Sequence, residues 1–214
     1  MKKILTIVLS VLLCIGAIGG SFALAKHLDE NPSTSVEDSS TQENNDGSND
    51  TNNSATKLVE VWELCTDESD LAVGDKIIIA SKSGEYALSE TQNTSNRAAV
   101  KVVKDGDLLT INDDVQVITL EQGAVDNTLA LYVVSGYLYA PSSSSNHLKT
   151  KTVIEPNGSW SITIDEGAVA TIVAQGDSEV NTLKYNATNK LFSCYTSSQE
   201  PIVIYKLVER EIQL

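Results

Sequence analysis

The sequence predicts an all-β domain, closed into a barrel and assembled from three pseudo-symmetric units. Three observations predict it. An octapeptide occurs twice, as Ile118-Thr-Leu-Glu-Gln-Gly-Ala-Val and as Ile162-Thr-Ile-Asp-Glu-Gly-Ala-Val, 44 residues apart and identical at five of eight positions. A repeat of this period marks a supersecondary unit used more than once. Short apolar runs also follow one another closely, separated by Gly, Asn and Asp, which is the pattern of many short strands joined by turns. Finally, no long window keeps a helical period.

The chain begins outside that domain. Lys2 and Lys3 precede an apolar run from Ile4 to Gly20, followed by Ala23-Leu-Ala. This is the layout of a secretory signal peptide cut after Ala25, so residues 1–25 are assigned to it. A lipoprotein signal using Cys14 is the alternative, with a bulky Leu13 against it. An uncleaved membrane anchor is the other, since the run is close to the short limit for a span. Residues 26–57 are Ser, Thr, Asn, Asp and Glu with almost nothing apolar. Such a stretch buries too little to offset chain entropy and reads as a disordered acidic tether. The protein is therefore expected outside the cell, secreted or held at the cell surface.

Residues 58–214 are enough for one core. The formal net charge is −14, and losing Lys2 and Lys3 with the signal takes it to −16. That balance argues against a nucleic-acid groove, which needs a basic surface. Membrane contact is expected only through an uncleaved signal. Two cysteines remain in the mature chain, Cys65 and Cys194. An oxidising compartment allows them a disulfide, worth about 4–5 kcal/mol in the chain-entropy account. Two buried thiols, acting as small hydrophobes, are the alternative.

Each element follows from local pattern. Leu58 to Cys65 alternates as a strand, and Thr66 to Asp75 holds room for one helical turn capped by Thr66 or Asp67. Lys76-Ile-Ile-Ile-Ala is a buried strand, and Tyr86-Ala-Leu-Ser is the next. Thr91 to Arg97 is a polar loop. Ala98 to Val103 and Leu108 to Ile111 flank Asp105-Gly106, a strong hairpin signal. Strands then run from Val115 to Leu120, Thr128 to Val134 and Tyr137 to Ala140, with a loop at Ser142 to Asn146. The second copy contributes Trp160 to Ile164, Val169 to Ala174, Leu183 to Tyr185 and Leu191 to Tyr195. Pro201 to Val208 closes the domain and resembles the opening of another unit. Trp62 and Trp160 stand at strand starts, as core or barrel-mouth residues.

The first third fits the repeat loosely. Gly84-Glu-Tyr-Ala-Leu-Ser parallels Gly136-Tyr-Leu-Tyr-Ala-Pro, and a leucine–tyrosine landmark falls near residues 87, 138 and 183. Closure of the last strand onto the first unit, beside Trp62, would remove exposed sheet edges. With these features the sequence resembles a β-trefoil, of the ricin-B-like or fascin-like architecture. More narrowly it is similar to an accessory module of secreted bacterial surface proteins and extracellular nucleases. Gly74-Asp-Lys, Tyr86-Ala-Leu-Ser-Glu-Thr-Gln-Asn, Gly136-Tyr-Leu-Tyr-Ala and Leu191-Phe-Ser-Cys-Tyr carry that similarity. The resemblance implies a six-stranded barrel capped by three hairpins. Sugar-binding trefoils usually carry Gln-x-Trp in each unit, and this sequence has none.

No catalytic site is expected. His147 is the one histidine of the folded part, and nothing in the sequence brings Ser145 and an acid to it as a triad needs; a hydrolase using His147 is the remote alternative. Asn112-Asp-Asp and Asp177-Ser-Glu read as turns rather than metal loops, so neither metal nor cofactor is expected. The candidate chemistry is glycan contact, which needs planar aromatic faces beside short hydrogen-bonding side chains. Tyr86 stands with Gln92, Asn93 and Asn96. Tyr137 and Tyr139 stand with Asn146 and His147, and Tyr185 with Asn186 and Asn189. One cluster per unit would suit a multivalent binder. The competing readings are half-buried tyrosines with ordinary turns, and a protein–protein module, which would show an exposed apolar patch.

Overall fold

The computed structural model describes residues 56–141 and 144–213. The expected signal peptide and almost all of the expected tether lie outside the described residues, as do Cys14 and Ser142. Fifteen strands follow in chain order. β1 (Thr56–Leu64) leads to a 3-10 turn at Glu68–Asp70, capped by Asp67, whose side chain accepts from the Ser69 amide. Next come β2 (Lys76–Ser81), β3 (Tyr86–Gln92), β4 (Arg97–Lys101), β5 (Val103–Asp105), β6 (Leu108–Thr110) and β7 (Ile118–Gln122). β8 (Leu129–Val133), β9 (Gly136–Tyr139), β10 (Lys149–Lys151) and β11 (Ser159–Ile164) follow. β12 (Ala170–Ala174), β13 (Thr182–Asn186), β14 (Leu191–Tyr195) and β15 (Ile202–Gln213) end the domain.

Six of these strands pair in a closed circuit. β2 pairs with β7, β7 with β8, β8 with β11, β11 with β12, β12 with β15, and β15 returns to β2. One hairpin of each unit stands outside the circuit, β3–β4, β9–β10 and β13–β14, and a further hairpin, β5–β6, pairs with β1. The described residues thus form three units, β2 to β7, β8 to β11 and β12 to β15, each with two barrel strands and an outer hairpin, the first carrying β5–β6 as well. This is the trefoil-like all-β architecture. The repeated octapeptide does not open a unit. It straddles each junction, covering the last barrel strand of one unit and the turn into the next.

Strand alternation explains the main core. Ile118 and Leu120 of β7, Leu131 and Val133 of β8, and Ile172 of β12 point inward and pack with Ile77, Ile79, Leu88, Trp160, Leu183, Phe192 and Ile204. Burying one such side chain contributes roughly 1.5–3 kcal/mol. The Trp160 indole, fully buried, donates its N–H to the Leu138 carbonyl at 3.1 Å, so its polar edge is satisfied.

β2 is apolar on both faces, so each face needs a cover. Ile77 and Ile79 face the barrel interior, whereas Ile78 and Ala80 join a second cluster with Leu109, Val203 and Tyr205. Trp62 and Leu64 of β1 complete that cluster. β15 does two jobs. Its first half pairs with β2 (Ile204 opposite Ile79), and Tyr205 to Gln213 pairs with the whole of β1 (Leu207 opposite Trp62). Closure beside Trp62 is therefore observed.

Of the two arrangements open to the cysteines, the disulfide is not formed. Cys65 and Cys194 are free, buried thiols in the main core. The Cys65 thiol donates to the Asp67 carbonyl at 3.2 Å. Burial raises the pKa of both thiols, and most strongly that of Cys194. They serve as small hydrophobes.

Candidate functional site

The three tyrosine clusters do not share one fate. In the third unit, Tyr185 is 2% exposed. Its ring contacts Phe192, centroids 5.1 Å apart, and burial pushes its phenol up to about 12. Asn186 accepts from the Asn189 amide at 2.9 Å and donates to the Tyr195 hydroxyl at 3.1 Å. These residues build a turn over a core tyrosine.

The first unit is similarly absorbed. Tyr86 stacks on Tyr185, with centroids 5.7 Å apart and planes 21° apart. The Gln92 amide donates to the carbonyls of Asn93, Asn96 and Leu148. The Asn93 side chain donates to that of Asn96 at 2.8 Å. Arg97, 1% exposed, donates to the Glu90 carbonyl, to Gln116 Oε1 and to Thr150 Oγ1. This polar set clasps hairpin β3–β4 to hairpin β9–β10. The polar residues at the hairpin tip thus meet their own loop and the neighbouring hairpin.

The second unit differs. Tyr137 and Tyr139 alternate with buried Leu138 and Ala140, so both project from the outer face of β9 and stay partly exposed. Tyr132 sits directly opposite Tyr137 across the β8–β9 pair, and their centroids are 5.3 Å apart. Lys149 and Lys151 of β10 stand opposite Tyr139 and Tyr137. The Tyr137 hydroxyl donates to Glu121 at 2.8 Å, and that bond foremost raises its pKa. The Lys151 ammonium lies 4.6 Å from the centre of the Tyr139 ring. It also meets the Glu155 carboxylate and, at 3.0 Å, Asn157 Oδ1. Beside these groups opens a cleft of about 210 Å³, bounded by Glu155, Pro156, Asn157, Gly176 and Asp177.

Local sequence places this face. Val134-Ser135 is a two-residue turn, and Gly136 follows at φ +131°. A Cβ there would lie 2.3 Å from the Lys151 carbonyl oxygen, so glycine alone lets β10 approach β9. The loop before β10 carries the exposed Ser145 and Asn146, then the half-buried His147. Leu148 fixes that loop by accepting from Gln92 and donating to the Ser95 carbonyl. Tyr132, Lys151, Glu155 and Asn157 were not expected from the sequence. The alternation of β8 opposite β9 was the available signal for Tyr132. The others lie on a short edge strand and a loop, with no motif to single them out. Among the described residues, no group of three or more His, Cys, Asp or Glu is arranged to hold a metal ion. No helix among them is long and apolar enough to cross a membrane.

No family model matches the chain, and no curated protein matches its sequence. Several solved structures are similar in backbone. A GH43 β-1,3-galactosidase matches at 12% identity and TM-score 0.45, over 68% of this chain and 29% of that one. The BEL β-trefoil matches at 17% identity and TM-score 0.45, over 64% and 96% of the two chains. SeviL, solved with the asialo-GM1 saccharide, matches at 12% identity and TM-score 0.45, over 63% and 98%. The chain thus spans under a third of the length of the galactosidase. Here the trefoil assignment rests on the closed strand circuit itself.

Proposed function

We propose that the domain is a carbohydrate-binding module that works outside the cell and holds its ligand on the outer face of the second unit. One observation carries this reading: Tyr132, Tyr137 and Tyr139 share one partly exposed face beside the cleft of Glu155, Asn157 and Asp177. A phenol ring offers a flat apolar surface to the C–H face of a sugar. Carboxylate, amide and ammonium groups at its edge offer both acceptors and donors to hydroxyls. The Lys151–Glu155–Asn157 set is held together by its own hydrogen bonds, so little ordering is left for binding. The module works by binding, with one such face rather than one per unit.

Large apolar side chains that remain exposed among the described residues are dispersed. Val73, Val103, Val134 and Val153 lie in separate turns or short strands. Leu58 and Ile212 sit on paired strands but point to opposite faces. A protein-docking surface would gather such residues into one patch.

A glycan array screened with the purified chain tests the reading. The expected result is a set of hits lost in Tyr139→Ala and retained in Asn189→Ala, a turn residue of the third unit. A blank array, or hits indifferent to Tyr139, would sink it and direct the search to a surface-protein partner.

A further inference from the structure

The two copies of the repeat fold into hairpins of different length. In the second copy, Ile164 pairs with Ala170, and five residues turn the chain. In the first copy, pairing continues past Leu120–Leu131 to Glu121–Ala130 and Gln122–Leu129. Ten residues separate Leu120 from its partner Leu131, against five between Ile164 and Ala170, and these five additional residues make that extension possible. The turn of the longer hairpin lies at the start of β8, and the turn into the tyrosine hairpin lies at the end of β8.

A second wall faces this extension. The segment between β1 and β2 crosses the barrel mouth, with Leu71 packed on the core and Gly74 donating to the Leu120 carbonyl at 2.7 Å. Between hairpin and segment lies a cleft of about 340 Å³, lined by Glu68, Leu71, Gln122, Asn127, Leu129 and Ile162 among others. Its polar groups are already oriented. Glu68 accepts the Ile164 amide at 3.0 Å, and the Gln122 amide donates to the Thr128 carbonyl at 3.3 Å. Asn127 sits at φ +58° at the turn, a conformation that Asn tolerates better than most residues.

From this we infer that the cleft is a second ligand site, distinct from the tyrosine face, and that it takes an uncharged hexose-sized sugar. Leu71, Leu129 and Ile162 give an apolar floor for a ring's C–H face. Glu68 accepts hydroxyl protons, while the amides of Gln122 and Asn127 both donate and accept. The lining holds one carboxylate and no cation, which disfavours phosphorylated or acidic sugars. One carboxylate, already engaged by a backbone amide, is far from the six or more oxygens that Ca²⁺ requires. Neither the site nor its ligand depends on the tyrosine face being functional.

The test is a ¹H–¹⁵N NMR titration of the chain with glucose, galactose, mannose and N-acetylglucosamine, each into the tens of millimolar. The expected result is that at least one sugar shifts the side-chain amides of Gln122 and Asn127 and the Ile164 backbone amide. Asn127→Gly keeps the positive φ while deleting the amide, and Glu68→Gln keeps the acceptor for Ile164 while deleting the charge. Each should weaken binding about tenfold, the worth of one well-made polar contact, with the spectrum otherwise dispersed as in the parent. The response should survive Tyr139→Ala. No shift at these groups with any of the four sugars overturns the inference, as does a response unchanged by both cleft variants. A response abolished by Tyr139→Ala assigns the binding to the tyrosine face and overturns it too.

Discussion

Arg97 donates to the Thr150 hydroxyl at 2.6 Å, a bond between the hairpin of the first unit and that of the second. The same guanidinium meets the Glu90 carbonyl and Gln116 Oε1. A buried cation held mainly by neutral acceptors costs desolvation, and that desolvation lowers its pKa. Its removal nevertheless takes the donor from three acceptors, of which Gln116 Oε1 is buried. Arg97→Met is expected to destabilise the domain by about 2–4 kcal/mol, the range for losing charge-assisted buried hydrogen bonds. Urea unfolding followed by tryptophan fluorescence measures it. A change under about 1 kcal/mol would mean that the clasp is replaced by water or repacking.

Tyr205 makes the opposite case. Its hydroxyl is buried in the second apolar cluster with no hydrogen-bond partner among the described residues, and burial raises its pKa. Tyr205→Phe deletes an unsatisfied polar atom and keeps the ring. The expected outcome is a stability equal to the parent or higher by up to about 1 kcal/mol. A clear loss of stability in a thermal melt would show that the hydroxyl has a partner after all.

Tyr185 predicts an alkaline limit. Its phenol ionises near pH 10 in an unfolded chain and is raised to about 12 by burial. Between those values the unfolded state gives up the proton first, so the folded state binds more protons and stability falls as pH rises. Full stability from this group is present below pH 10 and is lost progressively toward pH 12. Tyr185→Phe should flatten that part of the profile, measured as the denaturant midpoint against pH. An unchanged slope in the variant would place the sensitivity elsewhere.

The two thiols predict insensitivity to reductant. Cys65 and Cys194 are free and buried, so the melting temperature should be the same with and without dithiothreitol. Both should react with a thiol reagent in denaturant without prior reduction, and in the native state Cys194 should be the slower. A lowered melting temperature on reduction would show that a disulfide contributes after all.

Much of the fold was legible. The octapeptide revealed the repeat, the Asp105-Gly106 turn and the apolar centre of β2 were read correctly, and the final strand was expected to close beside Trp62. The candidate site was legible only in part. Tyr86, Tyr137, Tyr139 and Tyr185 all lie in short strands beside polar loops, and local pattern treats them alike. Their neighbours separate them. Tyr185 meets Phe192 and Tyr86 under a neighbouring hairpin, whereas Tyr137 and Tyr139 lie next to β10, an edge strand that covers them only partly.

By itself, the sequence determined the class and the count: short alternating strands, punctuated turns, and one motif said twice. Those are local properties, set by side-chain period and by backbone preferences within a few residues. Only the tertiary structure decided which polar residues are spent on the fold and which are left to meet a ligand. Gln92, Asn93 and Asn96 read as binding chemistry, yet their hydrogen bonds go to their own loop and to a strand up to 58 residues away. The same holds for the two hairpins of the repeat. Nearly identical strings turn at different places because five additional residues let one pair further before it reverses. Whether a hydrogen-bonding group is satisfied depends on what lies across from it in space, and chain order does not carry that information.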